Sequence, residues 1–106
     1  MILEFNKKNP TIPESSFIAQ NTSIIGDVKI GEKTSIWFGT TIRADMNYIR
    51  IGDRTNIQDN SIVHVTTTIA PTKIGSGVTI GHGAIIHGCT IEDNCLIGMG
   101  SIIMDE

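Results

Sequence analysis

The sequence predicts an all-β chain, a left-handed parallel β-helix built from six-residue repeats. Aliphatic residues recur every six positions at Ile18, Ile24, Ile30, Ile36 and Ile42, then at Ile51, Ile57 and Val63. They recur again at Ile74, Ile80 and Ile86, and at Ile91, Ile97 and Ile103, so that thirteen of the fourteen are isoleucine. The residue two before the next aliphatic is usually small, as at Thr22, Val28, Thr34, Thr40, Thr55, Ser61, Val78, Ala84, Cys89, Cys95 and Ser101. Gly follows the aliphatic directly at Gly31, Gly52, Gly75, Gly81 and Gly98.

Neither a helix, with its period of about 3.6, nor an ordinary strand, with its period of about 2, keeps such a pattern. A coil of three short flat sides does, at about eighteen residues per turn. One isoleucine per side then points inward and stacks on its counterpart in the next coil. Small residues fill the narrow space near the corners. The glycines are expected to ease the turns through positive φ. Composition agrees: the chain is 40% hydrophobic but only 5% aromatic, so the core must be aliphatic. Cys89 and Cys95 fall in the small inward phase and are expected to pack there as thiols rather than form a disulfide.

Three intervals break the period. Ile42 to Ile51 is nine residues, Val63 to Ile74 is eleven and Ile86 to Ile91 is five. The first two are expected to be a bulge and a loop, the loop covering roughly residues 66–73, TTTIAPTK. Loops on such a coil lie on the surface and often carry function. Residues 1–17 lack the period and contain Pro10 and Pro13, so they are expected to form an irregular lead-in to a β-helix domain over 18–106. The repeat is still running at Ile103, and an uncovered coil end needs a cap. The chain is therefore expected to be short at its C-terminus relative to its relatives, or capped by a partner. Net charge is −3, with no basic cluster and no long apolar run, so neither nucleic acid nor a membrane is expected as a partner. The N-terminus has no signal-peptide pattern, which makes the cytoplasm the expected location.

The phase of the repeat places the three histidines. With the sides named A, B and C, Ile57 and Ile80 lie on C, Ile74 on B, and Ile42, Val63 and Ile86 on A. His64 and His87 each follow a side-A core residue, one coil apart, and Arg43 falls in the same column. Coils stack at about 4.8 Å, the spacing of paired strands. Two imidazoles so placed can share one cation, with each nitrogen about 2.0–2.1 Å from zinc. His82 follows Ile80 by two and lies on side C, about 20 Å of strand away. It is expected to reach a shared site only from a neighbouring chain. The plainer alternative is that all three are surface or packing residues, yet the chain has no histidine outside 64–87.

At these residues the sequence resembles the γ-class carbonic anhydrases and their hexapeptide-repeat relatives. The matching segments are I-R-A-D at 42–45, N-I-Q-D at 56–59, I-V-H-V at 62–65, I-G-H-G at 80–83 and I-H-G-C at 86–89, in the family's order. The resemblance implies a homotrimer with metal sites between subunits, ligated by His64, His82 and His87. It implies Zn2+, with Fe2+ or Co2+ as alternatives, and a metal-bound hydroxide that attacks CO2 to give bicarbonate. Gln58 matches the residue that orients the metal-bound water, and Asn56 a polar neighbour. Arg43 and Asp45 match a charged pair across the subunit interface. Two departures stand out. The 66–73 loop carries no carboxylate or histidine where the best-studied enzymes have proton-shuttling glutamates, and Asp45 is followed by Met46 and Asn47. These departures favour a second function, a metal-binding assembly subunit without turnover. A third, an acyltransferase of the same architecture that uses acetyl-CoA and one histidine as general base, is opposed by the three histidines at ligand phase and the R-A-D and N-I-Q-D segments.

Overall fold

The computed structural model describes residues 1–105. It is a left-handed parallel β-helix, with no helical segment among the described residues. Among the described residues every strand pair is parallel, and apart from a shift between Gly26 and Val28 the registers recover the predicted columns. Side A stacks Ile24, Ile42, Val63, Ile86 and Ile103. Side B stacks Ile30, Ile51, Ile74 and Ile91, and side C stacks Ile18, Ile36, Ile57, Ile80 and Ile97. The interior members of these columns are almost fully buried, and together they form one continuous core. Cys89 lies in that core and Cys95 packs against it, both as free thiols. Burial pushes the Cys89 thiol pKa up, so this cysteine behaves as a small apolar residue.

Buried hydroxyls would be costly without partners, and here each has one. Thr34 and Thr55 donate to the carbonyls of Gly52 and Gly75, one coil on. Thr40 and Ser61 do the same to Gln58 and Gly81. The small inward phase thus satisfies backbone carbonyls at the corners while fitting the narrow space.

The role expected of the glycines needs correction. Gly31, Gly52, Gly75, Gly81 and Gly98 do not have positive φ. The left-handed residues stand two positions later, at Lys33, Arg54, Gly77 and Asn94 on one corner and at Gly39, Asn60, Gly83 and Gly100 on the next. Glycine follows the core isoleucine for a different reason. A Cβ on Gly52 would lie 2.7 Å from the carbonyl carbon of Gly75 in the adjacent coil, and one on Gly81 would lie 2.6 Å from the amide nitrogen of Met99. Close approach of successive coils, rather than a dihedral angle, excludes a side chain there.

All three irregular intervals fall at the corner between sides A and B. The three extra residues of the second coil bulge out against Asp27, between the pairs Gly26–Ala44 and Val28–Ile49. The five extra residues of the third coil form a loop closed by a bridge between Thr66 and Ala70. That loop is shorter than the sequence suggested. Thr72 and Lys73 already pair with Ile49 and Arg50, because Thr72 is an inward residue with no exposed surface. Residues 1–17 contribute pairing of their own: Ile2 and Leu3 run beside Ile24 and Ile25, and Thr11 bridges to Lys29.

Candidate metal centre

The corner irregularities gather polar groups above the outer face of side A. His64 and His87 stand in register on adjacent coils. Their rings lie 5.1 Å apart, edge to face. Both are partly buried, with side chains 20% and 30% exposed. Thr72 ties their backbones together: its hydroxyl donates to the carbonyl of His64 and accepts the Gly88 amide proton at 2.8 Å. Removing the His87 side chain should leave this framework and the isoleucine stack intact. His87→Ala is accordingly expected to keep the β-type circular dichroism spectrum and melting temperature of the parent, and to lose whatever metal the parent is found to carry.

Each histidine faces a carboxylate. Asp45, at the start of the second-coil bulge, holds Oδ1 3.0 Å from His64 Nε2, and its Oδ2 accepts from Arg43 at 3.1 Å. Arg43 and Asp45 therefore pair within one chain, with the arginine half-exposed. Burial pushes the Asp45 pKa up. Hydrogen bonds from His64 and from the Met46 amide, with the charges of His64 and Arg43, outweigh it and leave the carboxyl below its ordinary value. Asp105 lies 3.1 Å from His87 Nδ1. Hydrogen bonds from Thr66 and His87 hold its carboxyl below the ordinary range.

His82 is elsewhere. It lies on side C, exposed, with Nδ1 3.6 Å from Asp59, beyond hydrogen-bond length. It shares a shallow pocket with Trp37, Phe38, Asn56, Gln58 and Asp59. Asn56 donates to Ser35 Oγ at 2.7 Å. Its Oδ1 is buried without a partner among the described residues. Such an oxygen costs free energy until something donates to it. Within one chain no three metal-binding side chains converge among the described residues. The predicted site residues thus divide into two groups: Arg43, Asp45, His64 and His87 on side A, and Asn56, Gln58 and His82 on side C.

Imidazoles are common ligands of zinc, often with a carboxylate behind the ring, and Asp105 stands so at Nδ1 of His87, whereas Asp45 occupies Nε2 of His64. The outer surfaces of both sides also carry apolar residues. Side A displays a column of Ile62, Ile85 and Ile102 beside the histidines. Side C displays Phe17 against Trp37, ring centroids 4.9 Å apart, with Phe38 beyond.

Asp59, Thr66 and Asp105 were not singled out by sequence reasoning. Asp59 follows Gln58 directly and so stands one coil before His82, a relation the phase contains. Asp105 lies opposite Gly88 rather than His87, because His87 pairs with Met104. Only the structure reveals that it reaches back.

The family described as bacterial transferase hexapeptide (six repeats) matches residues 71–105. A protein named carbonic anhydrase from Geobacillus kaustophilus is 52% identical over 106 residues, covering all of this chain and 58% of the relative. Gamma carbonic anhydrase 2, mitochondrial, from Arabidopsis thaliana is 48% identical over 92% of this chain and 37% of its own length. The chain thus spans between about a third and three fifths of these two relatives. Among solved structures, a hexapeptide transferase family protein from Anaplasma phagocytophilum matches with a TM-score of 0.80 at 36% identity, over 98% of this chain and 75% of that one. A putative acetyltransferase from Bacillus cereus matches with a TM-score of 0.81 at 34% identity, over 98% and 74%. The register of the coils, the histidine column and these similarities agree: the chain belongs to the hexapeptide-repeat β-helix family that includes the γ-class carbonic anhydrases.

Proposed function

We propose that this chain is the β-helix of a γ-type carbonic anhydrase that works as a homotrimer, with a divalent cation held between subunits by His64 and His87 of one chain and His82 of the next. The division of the histidines carries this reading: two stand in one column on side A, and the third is on side C beside Gln58 and Asn56. Neither half is a site alone. Apposed, they supply three imidazoles, and the isoleucine column of one chain covers the aromatic residues of the other. Zinc is the preferred cation, with iron or cobalt as alternatives. When bound, such a cation supplies Lewis acidity that brings the deprotonation of water near neutral pH.

The chain's own residues do the rest. Gln58 carries an amide that can both donate to and accept from a reacting water. Asn56 offers the unpartnered Oδ1 as an acceptor beside it. Trp37 and Phe38 give the pocket an apolar wall, which suits uncharged CO2. Asp59 adds a negative charge, which favours departure of bicarbonate. Asp45 occupies His64 Nε2 in the single chain, so loading a cation at that nitrogen requires this hydrogen bond to yield. The pair Arg43–Asp45 then acts as a neutral latch at the edge of the interface.

A second reading is a metal-binding assembly subunit without turnover. It is favoured by the loop over 66–71, which carries no group able to move a proton. One experiment separates the readings. Light scattering, metal analysis and stopped-flow CO2 hydration are run on the same purified protein. The enzyme reading expects a trimer, about one metal per chain, and hydration that chelation abolishes. Metal without hydration supports the assembly subunit. A metal-loaded monomer of 11.5 kDa overturns the homotrimer with its site between subunits.

A further inference from the structure

Asp105 contacts the proposed site from outside the residues that would ligate or react. Its Oδ1 accepts from the Thr66 hydroxyl at 2.7 Å and lies 3.1 Å from His87 Nδ1. Thr66 Oγ1 is itself 3.5 Å from the same nitrogen. The three groups come from three successive coils. Thr66 is fixed by the bridge to Ala70 at the neck of the loop, and His87 by pairing with His64. Gly88 makes the meeting possible: a Cβ there would lie 2.4 Å from Thr66 Oγ1 and 2.9 Å from Asp105 Oδ1. The register of Ile86 with Ile103 and of His87 with Met104 puts Gly88 opposite Asp105, and its lack of a side chain lets the carboxylate lean over to the histidine.

The hydrogen bonds assign the protons. An ionised carboxylate only accepts. The single hydroxyl proton of Thr66 is spent on Asp105. His87 Nδ1 must therefore carry a proton and donate it to Asp105, so that in the neutral form of the ring Nε2 is the nitrogen with a free lone pair. From this we infer that Asp105, held by Thr66, is a positioning residue that fixes His87 in the Nδ1–H tautomer and so presents Nε2 to a divalent cation. The role in ligation rests on the metal site proposed above, whereas the tautomer is a property of the metal-free chain. A carboxylate behind a ligating imidazole generally contributes about 10- to 100-fold in metal affinity.

The test reads both quantities on the full chain. Long-range 1H–15N NMR of metal-free protein, with His87→Ala to assign the ring, reports the tautomer. Competition with a chelator for Zn2+, and the visible spectrum of Co2+, report affinity and coordination. The parent is expected to hold His87 as the Nδ1–H tautomer. Asp105→Ala is expected to shift the ring towards Nε2–H and weaken Zn2+ binding about 10- to 100-fold. Asp105→Asn keeps an oxygen that can accept from Nδ1 and should restore most of both. Thr66→Val, which frees Asp105, should shift both in the same direction by less. The Asp105 side chain is 47% exposed, so these variants should fold like the parent. An Nε2–H tautomer in the parent, or an Asp105→Ala protein with unchanged tautomer and affinity within about twofold, overturns the inference. If the parent takes up no metal, the metal-site reading fails, and the tautomer alone decides the role of Asp105.

Discussion

Gly52→Ala is expected to be among the most destabilising single-methyl additions this chain can receive, at about 3 kcal/mol. The new Cβ would lie 2.5 Å from Ser76 Oγ, 2.7 Å from the Gly75 carbonyl carbon and 2.8 Å from its oxygen. The serine hydroxyl can rotate away, but the Gly75 backbone cannot. Its carbonyl accepts from Thr55 Oγ1 at 2.6 Å and its amide donates to Ile91 O. Relief therefore means separating two coils and loosening the isoleucine stacks on either side. Two other glycines calibrate the cause. Gly98 also follows a core isoleucine, but its nearest neighbour is Ser101 Oγ at 3.7 Å, so Gly98→Ala should stay within about 0.5 kcal/mol of the parent. Gly83 has φ of +67° and open space around it. Gly83→Ala should cost about 1–2 kcal/mol through the dihedral alone. Thermal melts followed by circular dichroism at one protein concentration would rank the three. If Gly83→Ala melts below Gly52→Ala, the dihedral angle outweighs coil spacing, and the close-approach account is wrong.

The same glycines mark the limit of what the sequence discloses. Period and phase gave the columns, because β-branched residues at a fixed interval have few ways to be buried together. Val63 stacks between Ile42 and Ile86 although eleven residues separate it from the next aliphatic. A core residue announces its role by its own chemistry. A glycine does not, since absence of a side chain serves a turn and a tight contact equally. Only the distance from Gly52 to the neighbouring backbone decides between them.

The site was legible to a similar depth. The column of His64 and His87 follows from counting, because both trail a side-A core residue. The loop end at Pro71 does not, because Thr72 looks like one more polar residue in a run of threonines until its burial is seen. Asp105 was out of reach for a geometric reason. It sits opposite Gly88 in register, and its approach to His87 depends on a side-chain direction that phase does not encode. The clustering of all three irregular intervals at the A–B corner was countable from the start. It acquires meaning when Asp45, Thr66 and Gly88 prove to surround the histidine column.

The largest expected effect concerns which chain supplies which ligand. On the homotrimer proposed above, His64→Ala and His82→Ala, each purified alone, are expected to bind essentially no metal, because every interface in either trimer would lack one ligand. Co-refolded in equal amounts, the two should regain about a quarter of the parent's metal. The arithmetic follows from a closed ring in which side A of each chain meets side C of the next. Every mixed trimer, whether two-to-one or one-to-two, contains a single interface where a chain with intact His64 and His87 meets a chain with intact His82. Hydration activity, if the parent has it, should return in the same proportion. His64→Ala mixed with His87→Ala serves as the control and should regain nothing, because both lesions fall on side A and no chain in the mixture offers the complete pair. Mass spectrometry of isotope-labelled chains checks that subunits exchange in both mixtures. Recovery in neither mixture, with exchange demonstrated, would mean the three histidines do not divide between sides A and C as ligands of one cation. Recovery in both would place His64 and His87 in different sites, despite rings 5.1 Å apart.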